Sequence, residues 1–138
     1  MRYLGLDLGS RTLGVATSDP SGLIASSYGI IRHNEEYDRL VDEVKKIIAE
    51  REIEANVLGL PKNMNNTIGP KGELSYKFKE MLENATELDV YLMDERLTTK
   101  QATDILIMND TSRKKRKKVI DGMAATIILQ SYLDKKER

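Results

Sequence analysis

Three carboxylates stand where carboxylates are costly. Asp7 lies inside the apolar run from Tyr3 to Leu8, Glu95 follows the apolar segment that ends at Met93, and Asp121 interrupts a stretch from Val119 to Leu129 that is otherwise apolar, small or Thr. An unpartnered buried carboxylate costs on the order of several kcal/mol. Three that converge also repel, raising one another's pKa unless divalent cations neutralise them. Ligand sets made only of oxygen suit the hard ions Mg²⁺ and Mn²⁺. Two such ions about 3.5–4 Å apart clamp the attacking and leaving oxygens of a phosphodiester and activate a water as nucleophile. The rest of the composition agrees. With no cysteine there is no thiol nucleophile or thiolate zinc site, and a Ser-His-Asp engine would have to use the single histidine, His33. Each acid also has a plain structural explanation. Turn amides of Gly9-Ser10-Arg11 would satisfy Asp7, an ion-pair cluster with Asp94 and Arg96 would hold Glu95, and the dipole at a helix start would favour Asp121. Convergence of the three decides between the readings.

The cations are distributed unevenly. Lys+Arg and Asp+Glu both number 22, yet residues 1–60 carry seven cations against ten acids, residues 61–110 six against nine, and residues 111–138 nine against three. The excess sits in Arg113, Lys114, Lys115, Arg116, Lys117 and Lys118, which form either a phosphate-binding block or a solvated loop ahead of a helix. Arg11 and Arg96 follow two of the acids, each placed to hold a non-scissile phosphate or to pair with a neighbouring carboxylate. Lys62 and Asn63 open a polar loop at 61–72, a location where long loops are functional or plain connectors. His33 falls between a strand and a helix, is expected far from the acids, and receives no role. Aromatic residues are 5% of the chain with no Trp, so recognition is expected to rest on shape and backbone contacts.

Elements must bring these residues together. The chain of 138 residues, 40% hydrophobic and 32% charged, reads as one domain over 1–138 with one core. No apolar run is long enough to cross a membrane, and Asp7 interrupts the only apolar N-terminal stretch, so the expected setting is cytoplasmic. Alternation gives strands at 2–8, 12–18 and 24–32, an antiparallel meander with a turn at Asp19-Pro20-Ser21-Gly22. Tyr37, Leu40, Val41, Val44, Ile47 and Ile48 have helical spacing, with Asn34 as the expected N-cap. A strand at 55–60, a helix through Leu74, Phe78, Met81 and Leu82, and a strand at 89–93 follow. Thr98-x-x-Gln101 is a capping box for a short helix to about Met108, and a last helix runs from the end of the basic block to about Leu133. Strands separated by helices are expected parallel, giving a mixed sheet with helices on its faces. Gly5 and Gly9 flank Asp7 and are expected to leave open space for an ion or substrate. Gly122, Ala124 and Ala125 would let the last helix approach the sheet closely.

Four segments carry a resemblance over essentially the whole chain: Tyr-Leu-Gly-Leu-Asp-Leu-Gly-Ser-Arg-Thr-Leu-Gly-Val-Ala-Thr-Ser-Asp at 3–19, Gly-Leu-Pro-Lys-Asn-Met at 59–64, Asp-Glu-Arg-Leu-Thr-Thr at 94–99, and Lys-Lys-Val-Ile-Asp-Gly-Met-Ala-Ala-Thr-Ile-Ile-Leu at 117–129. In that order they resemble the YqgF family of RNase H-like nucleases. The resemblance implies an α/β RNase H-like fold with a mixed five-stranded sheet, a meander plus parallel strands. It puts the family's acids on Asp7, Glu95 and Asp121. It further implies a metal-dependent phosphodiester hydrolase, using Mg²⁺ or Mn²⁺ as two ions, that processes the 5′ end of pre-16S rRNA in ribosome biogenesis or resolves Holliday junctions. The partner would be structured RNA or branched DNA, and the chain a monomer or homodimer. Two other classes stand beside these: a non-catalytic nucleic-acid binder using the basic block, and an actin-like ATPase or sugar kinase, whose first phosphate-binding segment Gly5 to Thr12 also resembles. The second needs two such domains, and this chain supplies one.

Overall fold

The computed structural model describes residues 1–61, 68–94 and 113–136, with side chains in the last stretch from residue 123. Strands β1 (Tyr3–Leu8), β2 (Thr12–Ser18) and β3 (Ala25–Arg32) form the expected meander. Helix α1 (Tyr37–Arg51), strand β4 (Ala55–Leu60), helix α2 (Pro70–Thr86) and strand β5 (Val90–Asp94) follow, and helix α3 (Arg113–Lys136) closes the described chain. The five strands form one sheet in the order β3-β2-β1-β4-β5. The pairs β1/β2 and β2/β3 are antiparallel; β1/β4 and β4/β5 are parallel, as crossovers through helices require. The short helix expected at 98–108 lies outside the described residues.

Alternation sorts the sheet into two faces. Leu4, Leu6, Leu13, Val15 and Leu58 pack against Leu40, Val44, Phe78 and Leu82 of α1 and α2. On the other face Tyr3, Ala16, Ala55 and Val57 pack against Ala125, Ile128, Leu129 and Leu133 of α3. Small residues thin this second layer, and Gly5 sets the contact distance. A Cβ at position 5 would lie 2.6 Å from the Leu129 Cβ and 3.0 Å from the Ala125 carbonyl oxygen. The expected open space beside Asp7 is therefore absent at Gly5, because the helix fills it. At Gly9 an added Cβ would meet the Thr12 carbonyl oxygen at 3.2 Å.

The direction of α3 follows from its contacts. The Tyr3 ring meets Tyr132, with centroids 5.7 Å apart, and Lys136 Nζ sits 5.3 Å from the same ring, while Gly5 meets Ala125 and Leu129. Advancing along β1 thus means moving back along α3, so the two are antiparallel. The helix has 24 residues and spans about 36 Å, against about 20 Å for the six residues of β1. Its opening turns extend past the carboxyl ends of the parallel strands.

Three local expectations are corrected. The helix starts at Arg113, so Arg113 to Lys118 are helical and do not form a loop ahead of the helix. Asp121 is the ninth helical residue, not a first-turn acid, and the dipole explanation for it lapses. Asn34 does not cap α1. The N-cap is Glu36, without a side-chain capping bond, and Asn34 Oδ1 instead accepts from Arg11 Nη1 at 2.9 Å. The turn after β2 forms as expected. Asp19 Oδ1 accepts from the Leu23 and Ile24 amides at 2.9 Å each, and its other oxygen takes the Ser21 hydroxyl. The Ser21 bond first, then the amides, hold the Asp19 carboxyl below the usual carboxylate range.

Candidate active site

Asp7 is the next-to-last residue of β1 and only partly buried, although Tyr3 to Leu6 before it are buried. It borders a cleft of about 380 Å³ walled by Leu8, Gly9 and Ser10 of the β1–β2 turn, Glu35, and Pro61, Pro70 and Lys71 around the start of α2. The cleft opens at the carboxyl ends of the parallel strands β1 and β4, the edge where open α/β sheets bind ligands. In the register Leu6 pairs with Leu58 and Leu58 with Leu92, so β1, β4 and β5 reach this edge together. Asp94, partly buried, is the last residue of β5 and pairs with Leu60.

The turn beyond Asp7 is fixed by hydrogen bonds. The Gly9 amide donates to the Thr12 carbonyl at 2.8 Å, and the His33 amide donates to the Arg11 carbonyl at 2.9 Å. The His33 ring, 4% exposed, joins the same turn. Its Nδ1 accepts from the Glu35 amide at 2.9 Å and its Nε2 lies 3.0 Å from the Gly9 carbonyl oxygen. Because Nδ1 accepts, the network assigns the proton to Nε2, and the neutral ring donates to Gly9. His33 is thus close to Asp7 and not remote from it, a correction to the sequence reading. The meander contains the signal: β3 returns antiparallel beside β2 with Arg32 opposite Thr12, which brings residue 33 back to the turn after β1.

Arg11 donates to Asn34 and does not line the Asp7 cleft. Besides its bond to Asn34 it lines a second concavity, of about 420 Å³, together with Arg32, His33, Glu36 and Arg39. Glu95, Arg96, Lys62 and Asn63 lie outside the described residues. Asp121 and the block Arg113, Lys114, Lys115, Arg116, Lys117 and Lys118 ride on the described backbone of α3, their side chains outside the description. Among the described residues no three His, Asp or Glu side chains form a metal-holding group, and Asp7 is the single member of the expected triad whose side chain is described.

Comparison with known proteins agrees with this architecture. The family described as "RuvX: Holliday junction resolvase" matches residues 1–135. A protein of Listeria monocytogenes serotype 4b (strain F2365) named "Putative pre-16S rRNA nuclease" is 54% identical over 135 residues, covering 97% of this chain and 98% of its own. A protein of the same name from Bacillus mycoides (strain KBAB4) is 50% identical over 137 residues, covering 99% of this chain and all of its own. Among solved structures, Thermus thermophilus RuvC in complex with a Holliday junction substrate superposes with a TM-score of 0.63 at 16% identity, covering 99% of this chain and 96% of that one. At that identity the match shows the shared RNase H-like fold.

Proposed function

The chain belongs to the RuvX family, and from that premise we propose that it is a divalent-metal-dependent endonuclease that cleaves structured RNA, processing the 5′ end of pre-16S rRNA in the bacterial cytoplasm. The observation that carries the reading is the acid Asp7, partly buried at the carboxyl edge of the parallel strands, where it borders a cleft. Helix direction supports Asp121 as its companion. Two residues along β1, from Gly5 to Asp7, advance about 6.6 Å, and one turn back along antiparallel α3, from Ala125 to Asp121, retreats about 6 Å. Glu95 supports the same reading by following β5, whose end shares this edge, by one residue. An all-oxygen donor set of Asp7, Glu95 and Asp121 fits Mg²⁺ or Mn²⁺, as two ions. Bound there, the ions would supply an acidified water and charge neutralisation at the scissile phosphate.

The chain's own residues do the remainder. His33 and the Gly9–Thr12 bond hold the turn that follows Asp7, so its carboxylate stands at this edge of the sheet on a fixed backbone. Helical Arg113 to Lys118 supply cations on the overhanging end of α3, beyond the same carboxyl edge of the sheet that carries Asp7, where a polyanion would be drawn in.

Asp7→Asn keeps the size of the side chain and removes its charge. We expect it to abolish cleavage of a pre-16S rRNA fragment in Mg²⁺ or Mn²⁺ while leaving the far-UV circular dichroism spectrum unchanged. Full activity in the variant, or in the wild type with excess chelator, would overturn the reading. The family description favours one alternative, cleavage of four-way DNA junctions. A resolvase cuts two strands symmetrically and should act as a homodimer, so a labelled junction assayed beside the RNA, together with the solution mass, separates the two. Tight binding without hydrolysis under every divalent ion would mark a non-catalytic binder.

A further inference from the structure

The concavity lined by Arg11, Arg32 and Arg39 shares a wall with the Asp7 cleft. Residues 7–10 and Glu35 face the cleft, while Arg11, Arg32, His33, Asn34 and Glu36 face the concavity. The wall is rigid, because His33 bonds the Gly9 carbonyl through its ring and the Arg11 carbonyl through its amide. The Arg11 and Arg39 guanidinium groups meet the Glu36 carboxylate here, so the side chains placed by their bonds leave an excess of one positive charge. Arg39 Nη2 donates to the Arg32 carbonyl at 2.6 Å and lies 3.5 Å from Glu36 Oε2, with its side chain 47% exposed. Arg11 uses Nη1 on Asn34. A guanidinium carries five N–H donors, so both arginines keep donors for an anion in the opening. The fork geometry of Arg suits a phosphate oxygen pair better than a point charge does.

We propose that this notch holds a backbone phosphate of the nucleic-acid strand, one or two nucleotides from the phosphodiester that Asp7 engages. The proposal rests on the nuclease reading above and adds to it where the strand lies. The distance is suitable. Leu8 pairs with Leu13 and Leu13 with Ile31, so the rows bearing the two sites are two strand spacings apart, about 10 Å. That span is within reach of one strand running across the wall. Contact there is with the backbone and carries no sequence information, so the notch would set register and direction.

The test measures binding without cleavage, using a fluorescently labelled single-stranded RNA oligonucleotide in chelator across about 50 to 200 mM salt. Arg11→Gln and Arg39→Gln remove charge while keeping an amide donor for Asn34 and the Arg32 carbonyl, and thermal melts confirm folding. The slope of log affinity against log salt should shrink by about 0.7 for each phosphate that is no longer neutralised. Glu36→Gln should act oppositely and tighten binding at every salt concentration. Wild-type affinity and slope in the double arginine variant would overturn the notch and leave the nuclease reading standing. If an arginine variant fails to fold, unchanged binding by E36Q overturns the notch instead. Should the arginines govern binding of inorganic phosphate but not of the oligonucleotide, the site is one for free phosphate and the proposal fails. No oligonucleotide binding by the wild type would overturn the notch, while the nuclease reading stands or falls with the cleavage assay of Asp7→Asn.

Discussion

Asn56 sits fully buried in β4, on the face of the strand that also carries Leu58, and neither its amide nitrogen nor its oxygen meets a partner among the described residues. An unpaired buried amide costs about 1–3 kcal/mol. Asn56→Val should therefore raise the midpoint of denaturant unfolding, with a stability gain of about 1–3 kcal/mol and an unchanged slope. A loss on this change would show that the amide is satisfied in the native core. Such a group cannot be read from sequence, where Ala55 to Leu60 is one apolar run with a single polar interruption. Asp7 was legible at this scale because a carboxylate inside an alternating strand breaks its own pattern. His33 was not, since its value lies in hydrogen bonds to Gly9 and Glu35 that only the return of the meander creates.

Among the elements, the packing of α3 on β1 is the most exacting. Gly5→Ala places a methyl group 2.6 Å from the Leu129 Cβ, so either the helix moves outward or the strand bends. We expect a stability loss of about 1–3 kcal/mol, the usual range for overpacking. If Asp121 is a metal ligand, cleavage should fall further than stability does, because its backbone belongs to the helix that shifts. Pairing the change with Leu129→Gly, which removes the Cβ that the new methyl meets, should return part of the activity, measured as kcat on the RNA fragment. A G5A protein of wild-type stability and rate would contradict this close approach. The five described strands follow alternation and turn residues, and their bounds agree with sequence to within a residue or two. The start of α3 escapes a pattern reading for a physical reason. Arg113 and Lys117, like Lys114 and Lys118, are four apart, and like charges at that spacing oppose a helix. The structure forms it regardless.

For the molecule as a whole, metal binding and folding should be linked. If Asp7 is a ligand, adding Mn²⁺ or Mg²⁺ raises unfolding stability by the mass-action amount, about 2.7 kcal/mol at one hundred times the dissociation constant. The melting temperature of the wild type should climb with ion concentration, while that of Asp7→Asn stays flat. Equal shifts in both proteins would place the ions elsewhere. At this scale the sequence was informative, since four motifs in order implied the sheet and helix layers that the strand order then displays. It could not show that the charge of Arg11 belongs to a separate notch, because Arg32 and Arg39 join it only through the β3–α1 junction.

The opening of α3 has one further consequence. Its cationic turns project like a cantilever beyond the strands, and they stand at the helix pole where backbone amides already concentrate positive charge. A polyanion docked along this beam cancels both repulsions at once, so occupancy and winding there must rise together. Hydrogen exchange at the amides of residues 114–120 would then serve as a built-in gauge of cargo, slowing in step with each phosphate that arrives.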